Sequence, residues 1–309
     1  MNFFNGEVNN MEQQMFNNSS ILAWLTYYAE HTQVDLRKVK ILDITRKNKN
    51  LIPTVESHNN TLVFTEAGHP DIFYRMWAAG LGECRVWYNE GSDPAGQIYN
   101  KPVREMINRG INASAAMLII NPNARSTQKI GMRNMNFSRG SVHYVGSEIR
   151  AVMLSKMHID QGDNLCIISG ESIAVEAALL APEGTIIAVE YNQNDRRTLE
   201  DNAHEFGLHN IEIIDHVDDE TMKGLPVPGF TMLVASASME QEIECLLRLN
   251  PHMEFMIYTL DFQCAASLPA LFEHYGIGET EVLQIEVSKL NAKRNFVAEP
   301  APWIITGKA

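Results

Sequence analysis

The chain has 309 residues, of which 45% are hydrophobic and 20% are charged, a composition typical of a soluble globular protein of about two domains. The net charge of −13 argues against nucleic acid as a partner, because phosphate binding requires a basic surface. No apolar run is long enough to span a membrane, and no signal peptide is evident, so we expect a cytoplasmic protein without a membrane partner. The spacing of the four cysteines and ten histidines indicates neither a metal site nor a redox pair.

The first part of the chain alternates predicted strands and helices. Residues 1–18 are rich in Asn and Gln, which predicts a mobile tail. A helix is expected from Ser19, and Gly80 is expected to end another. Strands are predicted at 39–44, 61–65, 84–88 and 116–120, and further helices at 71–79 and 103–108. The pattern predicts an α/β domain at 19–125 with a mostly parallel sheet.

The second part reads as another α/β domain. Residues 126–146 are polar and rich in Asn, Arg and Gly, which predicts a linker. In the domain at 147–309, helices are predicted at 147–156, 173–181, 195–206, 239–249 and partly 260–275. Strands are predicted at 165–168, 185–189, 211–214, 231–235, 254–258, 280–290 and 303–306. The last two form a hairpin, so a mostly parallel sheet with an antiparallel final strand is expected.

The segment 164–190 is the most informative stretch of the chain. It reads as strand, tight turn, helix and strand, and Glu190 ends the second strand, as in a nucleotide-binding α/β domain. An acid at this place can accept ribose hydroxyls, or it is an ordinary surface Glu at a strand end. Only Gly170 remains of a glycine-rich turn, so the turn either binds a cofactor or is purely structural.

Two further groups of residues are candidates for ligand binding. After the fourth strand, Ser236 and Ser238 either bind substrate or cofactor or cap the helix that starts at Met239. Several basic or imidazole groups could gather to receive an anionic substrate, although each is also typical of solvated surface charge. They are Arg133, Arg139, His143, Lys156, Lys289, Lys293 and Arg294.

Several motifs together resemble a known family. Segments 147–157, 175–184, 187–192, 201–207 and 303–308 are similar to the decarboxylating precorrin-6Y methyltransferases of cobalamin biosynthesis, and the resemblance covers about residues 141–309. Segments 40–46, 50–52, 64–70 and 80–91 resemble the latter half of a tetrapyrrole methylase. The resemblance therefore implies a truncated tetrapyrrole-methylase-like domain followed by a Rossmann-like class I methyltransferase domain with a mostly parallel seven-stranded sheet.

The resemblance also implies ligands and roles. The cofactor would be S-adenosylmethionine and the substrate a tetrapyrrole. Glu190 would hold the ribose, with Tyr191 and Ala235 beside the cofactor. Because the decarboxylating domains of this family form tetramers, a homo-oligomer is also implied. The turn residues Ser169, Gly170, Glu171 and Ser172 would hold the methionine end, and the substrate would contact Arg139, His143, Ser236, Ser238 and Lys289.

The sequence departs from the family at the positions that touch cofactor or substrate. The first domain lacks the half that carries the glycine-rich loop, so it is expected to be inactive. In the second domain Ile167 or Cys166 stands at the family's aspartate, the turn is about two residues shorter, and residues 235–238 replace Gly-Gly-Ser. Three functions therefore stay open: methylation with decarboxylation of a precorrin, a catalytically degenerate binding or scaffold subunit, and methylation of another small molecule.

Overall fold

A computed structural model describes residues 18–45, 50–66, 71–90, 94, 98–111, 113–125, 130–140 and 145–309. The chain divides into two compact units, Met1–Thr127 and Gln128–Ala309. None of the described helices combines the length and apolar character that a membrane span requires.

The first unit contains a five-stranded sheet. Its helices are α1 (Asn18–Thr32), α2 (Leu51–Ser57) and α3 (Ile72–Met76). Its strands are β1 (Val39–Asp43), β2 (Asn60–Thr65), β3 (Arg85–Glu90), β4 (Tyr99–Pro102) and β5 (Ala115–Ile120). The strand order is β1-β2-β5-β3-β4, and only the β1–β2 pair is parallel.

The predicted strand positions are confirmed, but the prediction of a mostly parallel sheet in this unit is wrong. A parallel pair needs a crossover of about a dozen residues or more, usually a helix. Residues 91–98 are too short for one between β3 and β4, and only a 3₁₀ turn, Val103–Glu105, lies between β4 and β5. Alternation of strands with short helical segments therefore did not determine strand direction. The strand β4 was not predicted.

Both faces of this sheet are covered. On one face Trp24 and Tyr28 of α1 pack on β2 and β5, and the Tyr28 hydroxyl donates a 2.8 Å hydrogen bond to the carbonyl of Ala116. On the other face α2 and α3 enclose a second apolar cluster. The helix predicted at 71–79 is present as α3 followed by the helical segment Trp77–Leu81, which is kinked at Gly80 with a φ of +83°.

The second unit has the predicted seven-stranded, mostly parallel sheet. Its helices are α4 (Ser147–Lys156), α5 (Glu171–Leu180), α6 (Gln193–Glu205), α7 (Met239–Leu249) and α8 (Phe262–His274). Its strands are β6 (Leu165–Ile168), β7 (Ile186–Val189), β8 (Ile211–Ile214), β9 (Phe230–Val234), β10 (Glu254–Thr259), β11 (Gly278–Gln284), β12 (Ser288–Leu290), β13 (Phe296–Ala298) and β14 (Trp303–Lys308). The order is β11-β14-β10-β9-β6-β7-β8, and β14 is antiparallel to both neighbours. The strands β12 and β13 form a separate hairpin.

A buried ion pair fixes the beginning of this unit. Arg150 on α4 and Glu176 on α5 have fully buried side chains, and Nε of Arg150 lies 2.6 Å from Oε1 of Glu176. The same carboxylate accepts the backbone N–H groups of Gly131 and Met132. Arg150 also donates to the carbonyls of Met132 and Val145. The pair therefore fastens the chain before α4 onto both helices.

Removing one partner of this pair is expected to destabilise the second unit strongly. The substitution Glu176→Ala leaves the Arg150 guanidinium buried without a counter-charge, which costs about 3–5 kcal/mol. Amide hydrogen exchange of β6 and β9 in the full chain measures this loss. The matched control is Glu281→Ala, which removes a partly exposed pair with Lys156 and is expected to cost much less. Equal losses in the two variants would contradict the assigned role.

Candidate functional site

The candidate site lies where three neighbouring strands end. In the sheet β6 has β7 on one side and β9 on the other, and the three are parallel. The chain turns away in opposite directions after β6 and β9, and such a switch point opens the ligand crevice of α/β sheets at the carboxyl ends of the strands. The turns after these strands contain the predicted cofactor residues.

The turn after β6 consists of Ser169 and Gly170, since α5 begins at Glu171. Ser169 has a φ of +55°, in the left-handed region that favours glycine. A Cβ atom on Gly170 would lie 2.6 Å from Cγ2 of Ile167 and 3.3 Å from Sδ of Met232. The remaining glycine is therefore required by its own packing on β6 and β9, and no ligand is needed to explain it.

Glu190 at the end of β7 is directed at this turn. Only 2% of the residue is exposed, and its carboxyl group lies near enough to the backbone N–H of Glu171 for that N–H to lower its pKa against the larger effects that raise it. Gly170, before α5, has no side chain with which to cap that helix. The acid predicted to bind ribose is thus buried beside the start of α5.

Two more carboxylates lie beside Glu190. Glu171 is 6% exposed and Asp195 on α6 is fully buried. Burial, followed by repulsion from Glu171 and Asp195, raises the pKa of Glu190 to about 8. Burial, followed by repulsion from Asp195, raises the pKa of Glu171 to about 7. Near neutral pH Glu190 is therefore largely protonated, which is unfavourable for accepting two ribose hydroxyls.

Residues 138–140 lie against these carboxylates. Asn202 on α6 accepts from the N–H of Ser138 at 2.7 Å and donates to its carbonyl at 3.2 Å. A Cβ atom on Gly140 would lie 2.5 Å from Oδ1 of Asp195 and 3.0 Å from Oε2 of Glu171. This close approach requires glycine. The chain that the buried ion pair fastens therefore continues over the acidic side chains and covers them.

A second contact joins the strand ends on either side of β6. The hydroxyl of Tyr191, which follows β7, donates to the carboxylate of Glu242 on α7. Oγ of Ser238, in the turn after β9, donates to the same carboxylate at 3.0 Å and lies 3.0 Å from Oγ of Ser236. Burial raises the pKa of Glu242 to about 7. The Tyr191–Glu242 hydrogen bond thus connects the two flanks of the crevice.

The predicted cofactor residues occupy these turns, but their contacts are internal. Ser172 is buried, and its hydroxyl accepts a 3.3 Å hydrogen bond from Arg150. The backbone N–H of Ala235 continues the sheet by donating to the carbonyl of Tyr258 at 2.9 Å. Ser169, Gly170, Glu171, Glu190 and Tyr191 lie as described above.

The predicted substrate residues are less clustered. Lys289 on β12 is paired with Glu148 at 2.9 Å and Glu299 at 3.0 Å. Arg139 is exposed, in the segment 138–140 that lies against the carboxylates, whereas His143 lies outside the described residues. Ser236 is exposed and Ser238 is half-buried, both next to Tyr191 as described. Within the described ranges, no group of His, Cys, Asp or Glu side chains could hold a metal ion.

Four residues that shape the site were not predicted from the sequence. Asp195 and Asn202 of α6 and Glu242 of α7 look like ordinary polar residues of amphipathic helices, and only the tertiary structure buries them. The sequence does indicate that Glu176 is buried, because it is the one charged residue in the apolar run 173–181. A buried charge requires a buried partner.

Comparison with protein families matches residues 143–298, just over half of the chain, to the precorrin methyltransferase domain. The chain belongs to this family. No curated protein matches the sequence.

Among solved structures, a precorrin-6Y C5,15-methyltransferase from Geobacter metallireducens is similar at 24% identity and a TM-score of 0.54, covering 58% of this chain and 97% of that one. The C-terminal domain of the Rhodobacter capsulatus precorrin-6Y C5,15-methyltransferase aligns at 18% identity and a TM-score of 0.48, covering 59% and 100%. A SAM-dependent O-methyltransferase from Thermotoga maritima aligns at 14% identity and a TM-score of 0.48, covering 74% and 94%.

The comparisons support a class I methyltransferase fold and, through the family, S-adenosylmethionine-dependent methylation. Whether this chain can bind the methyl donor depends on the residues at the strand ends. The predicted ribose acceptor is buried beside the start of α5, the glycine of the first turn is packed against Ile167 and Met232, and the flanks are joined by Tyr191 and Glu242. In this conformation the residues do not fit an adenosine-bearing donor.

The buried carboxyls predict an unusual dependence of stability on pH. Glu190 has a folded-state pKa of about 8 against an ordinary value of 4.5, so the folded chain holds a proton that the unfolded chain releases. The free energy of unfolding therefore falls as pH rises from about 4.5 to about 8, by on the order of 5 kcal/mol from Glu190 alone. Calorimetric unfolding of the full chain at pH values across this window measures the change.

The variant Glu190→Gln isolates this effect, because an amide does not titrate. It is expected to flatten the decline, whereas the control Glu200→Gln, at an exposed position of α6, leaves the decline unchanged. A decline of the same slope in the Glu190→Gln variant would contradict the burial of this carboxyl in its neutral form.

Proposed function

We propose that this chain is a catalytically degenerate member of the precorrin methyltransferase family that acts as a binding or scaffold subunit. The single observation that supports this most is the Glu190 carboxyl group, which is buried beside Glu171 and Asp195 and has its pKa raised to about 8, first by burial and then by those two carboxylates. In this proposal the fold is retained, and the space for the methyl donor is occupied by the protein's own side chains.

The shortened turn explains why Glu190 takes this position. With two residues between β6 and α5, the first N–H groups of the helix lie beside the end of β7. A carboxyl oxygen there lies close to the N–H groups that the first turn of a helix leaves unsatisfied. In this proposal these groups of the chain occupy the place where a donor's ribose and methionine end would bind.

A second candidate function is S-adenosylmethionine-dependent methylation, with decarboxylation, of a precorrin. The match over residues 143–298 and the presence of an acid at the end of β7 favour it. It requires Glu190 to leave α5 and Tyr191 to leave Glu242, so that a donor could reach the turn after β6. The first unit would then serve as a partial tetrapyrrole-methylase-like domain, and the tetrapyrrole would be the substrate.

Titration calorimetry with S-adenosylmethionine and its demethylated product, S-adenosylhomocysteine, separates the two functions. We expect no saturable heat with the full chain at millimolar ligand, because the predicted ribose acceptor Glu190 is buried and largely protonated. A precorrin methyltransferase that binds the donor is the positive control. Saturable binding that the substitution Glu190→Ala abolishes would contradict the degenerate reading and support the second candidate.

A scaffold role is also expected to involve self-association. The hairpin of β12 and β13 exposes Phe296 by 78% and Leu290 by 58%, and an isolated two-stranded hairpin is only marginally stable in water. We therefore expect a second copy to cover it. Light scattering of the full chain should give a multiple of the chain mass, and Phe296→Ser should reduce it, whereas Leu260→Ser, on another exposed surface, should not. A monomeric mass for the native chain would refute this.

A further inference from the structure

The first unit contains a cavity that the proposed function does not use. It has a volume of about 520 Å³, within the range of small-molecule sites. Glu56, at the end of α2, and Arg125, after β5, contribute opposite charges to its wall. Leu81 and Cys84 contribute apolar surface. The cavity is therefore large enough for a small organic molecule and has two kinds of charge with which to orient it.

One wall of the cavity has an irregular backbone. The helical segment Trp77–Leu81 is kinked at Gly80, which has a φ of +83° and lines the cavity. A Cβ atom added at Gly80 would meet no atom within 4 Å, so the backbone faces open space there. A glycine in this left-handed conformation leaves backbone without a side chain at the cavity wall, where a ligand can approach closely. This observation is independent of the charges.

Hydrogen bonds of Asn121 fix another part of the cavity wall. This residue is 4% exposed; its Nδ2 donates to the carbonyl of Val55 at 2.9 Å, and its Oδ1 accepts from the N–H of Asn123 at 3.0 Å. The N–H of Arg125 donates to the carbonyl of Glu56 at 3.1 Å. These bonds fix the backbones that carry the two charges next to each other. Asn121 is thus a positioning residue.

The two charged side chains at the cavity do not neutralise each other by direct contact. Within the described part of the chain, neither the Glu56 carboxyl nor the Arg125 guanidinium makes a hydrogen bond or an ion pair. Burial raises the pKa of Glu56, and the charge of Arg125 lowers it. A half-buried carboxyl beside a cation it does not touch can accept an ammonium group, while the guanidinium binds a carboxylate through paired N–H donors.

We propose that this cavity binds a small zwitterion of the amino-acid type, with its ammonium group on Glu56, its carboxylate on Arg125 and an apolar body against Leu81 and Cys84. The assignment rests on the first unit alone and is independent of the function proposed for the second. A ligand with only one charge would leave the other charged side chain without a partner, so the zwitterion is the class that satisfies both.

Nuclear magnetic resonance titration of the full chain with three matched probes tests the proposal. L-leucine carries both charges, 3-methylbutylamine lacks the carboxylate, and 4-methylpentanoate lacks the ammonium group. We expect L-leucine to shift the amide signals of Leu81 and Cys84 saturably, and the two singly charged probes to bind about tenfold more weakly or worse. Equal binding of a singly charged probe, or no saturable shift with L-leucine, would overturn the proposal.

Substitutions at the cavity supply the second arm of the test. Glu56→Gln and Arg125→Gln keep the approximate size of each side chain and remove its charge, and each is expected to weaken L-leucine binding about tenfold or more. The control Glu66→Gln neutralises an exposed carboxylate that does not line the cavity. Unchanged affinity in both cavity variants would also overturn the proposal, whatever the outcome of donor binding in the second unit.

Discussion

The ion pair between Arg150 and Glu176 is the interaction on which the second unit depends. Two fully buried charges are tolerated only when both are paired and their remaining hydrogen-bonding atoms are satisfied. Here the required partners are backbone groups of Gly131, Met132 and Val145, so satisfying the charges also fixes the chain that precedes α4. The same electrostatic requirement that orders the core thereby determines where residues 130–140 run.

The course of residues 130–140 determines what covers the site. After its contacts with the buried ion pair, this segment is hydrogen-bonded to Asn202, and Gly140 then lies against the carboxylates of Glu171 and Asp195. Covered carboxylates at this density do not all remain ionised: the pKa of Glu190 is raised first by its burial and then by repulsion from Glu171 and Asp195. An ordered, closed site and a proton held on Glu190 are therefore two results of one packing arrangement. Family membership alone does not reveal it.

Much of the fold could be predicted from sequence, and the failures have physical causes. Apolar strands such as β6 and β7 are recognisable because both faces are buried. Strand direction in the first unit was not predictable from alternation, since direction depends on whether a connection is long enough to cross over. The position of Glu190 at a strand end was readable, but its direction depends on how far α5 starts from β6. The contacts of Asn202 exist only in the folded chain.

Each unit has a residue in the left-handed backbone conformation beside a possible ligand site, but the surroundings of the two residues differ. In the second unit Ser169 takes a left-handed conformation next to Gly170, where a Cβ atom would meet Ile167 and Met232. In the first unit Gly80 takes a left-handed conformation beside open space. A left-handed backbone position suggests a ligand only where the structure leaves room for one.

Glu190 is neutral and buried beside the start of α5, and in this account it does not bind a methyl donor. Site-resolved carbon-13 titration of its carboxyl group in the full chain, with and without S-adenosylhomocysteine, tests this most directly. The account predicts a pKa of about 8 that the ligand does not change. A pKa in the ordinary range of an exposed glutamate, or a carboxyl signal that shifts saturably with the ligand, would contradict it.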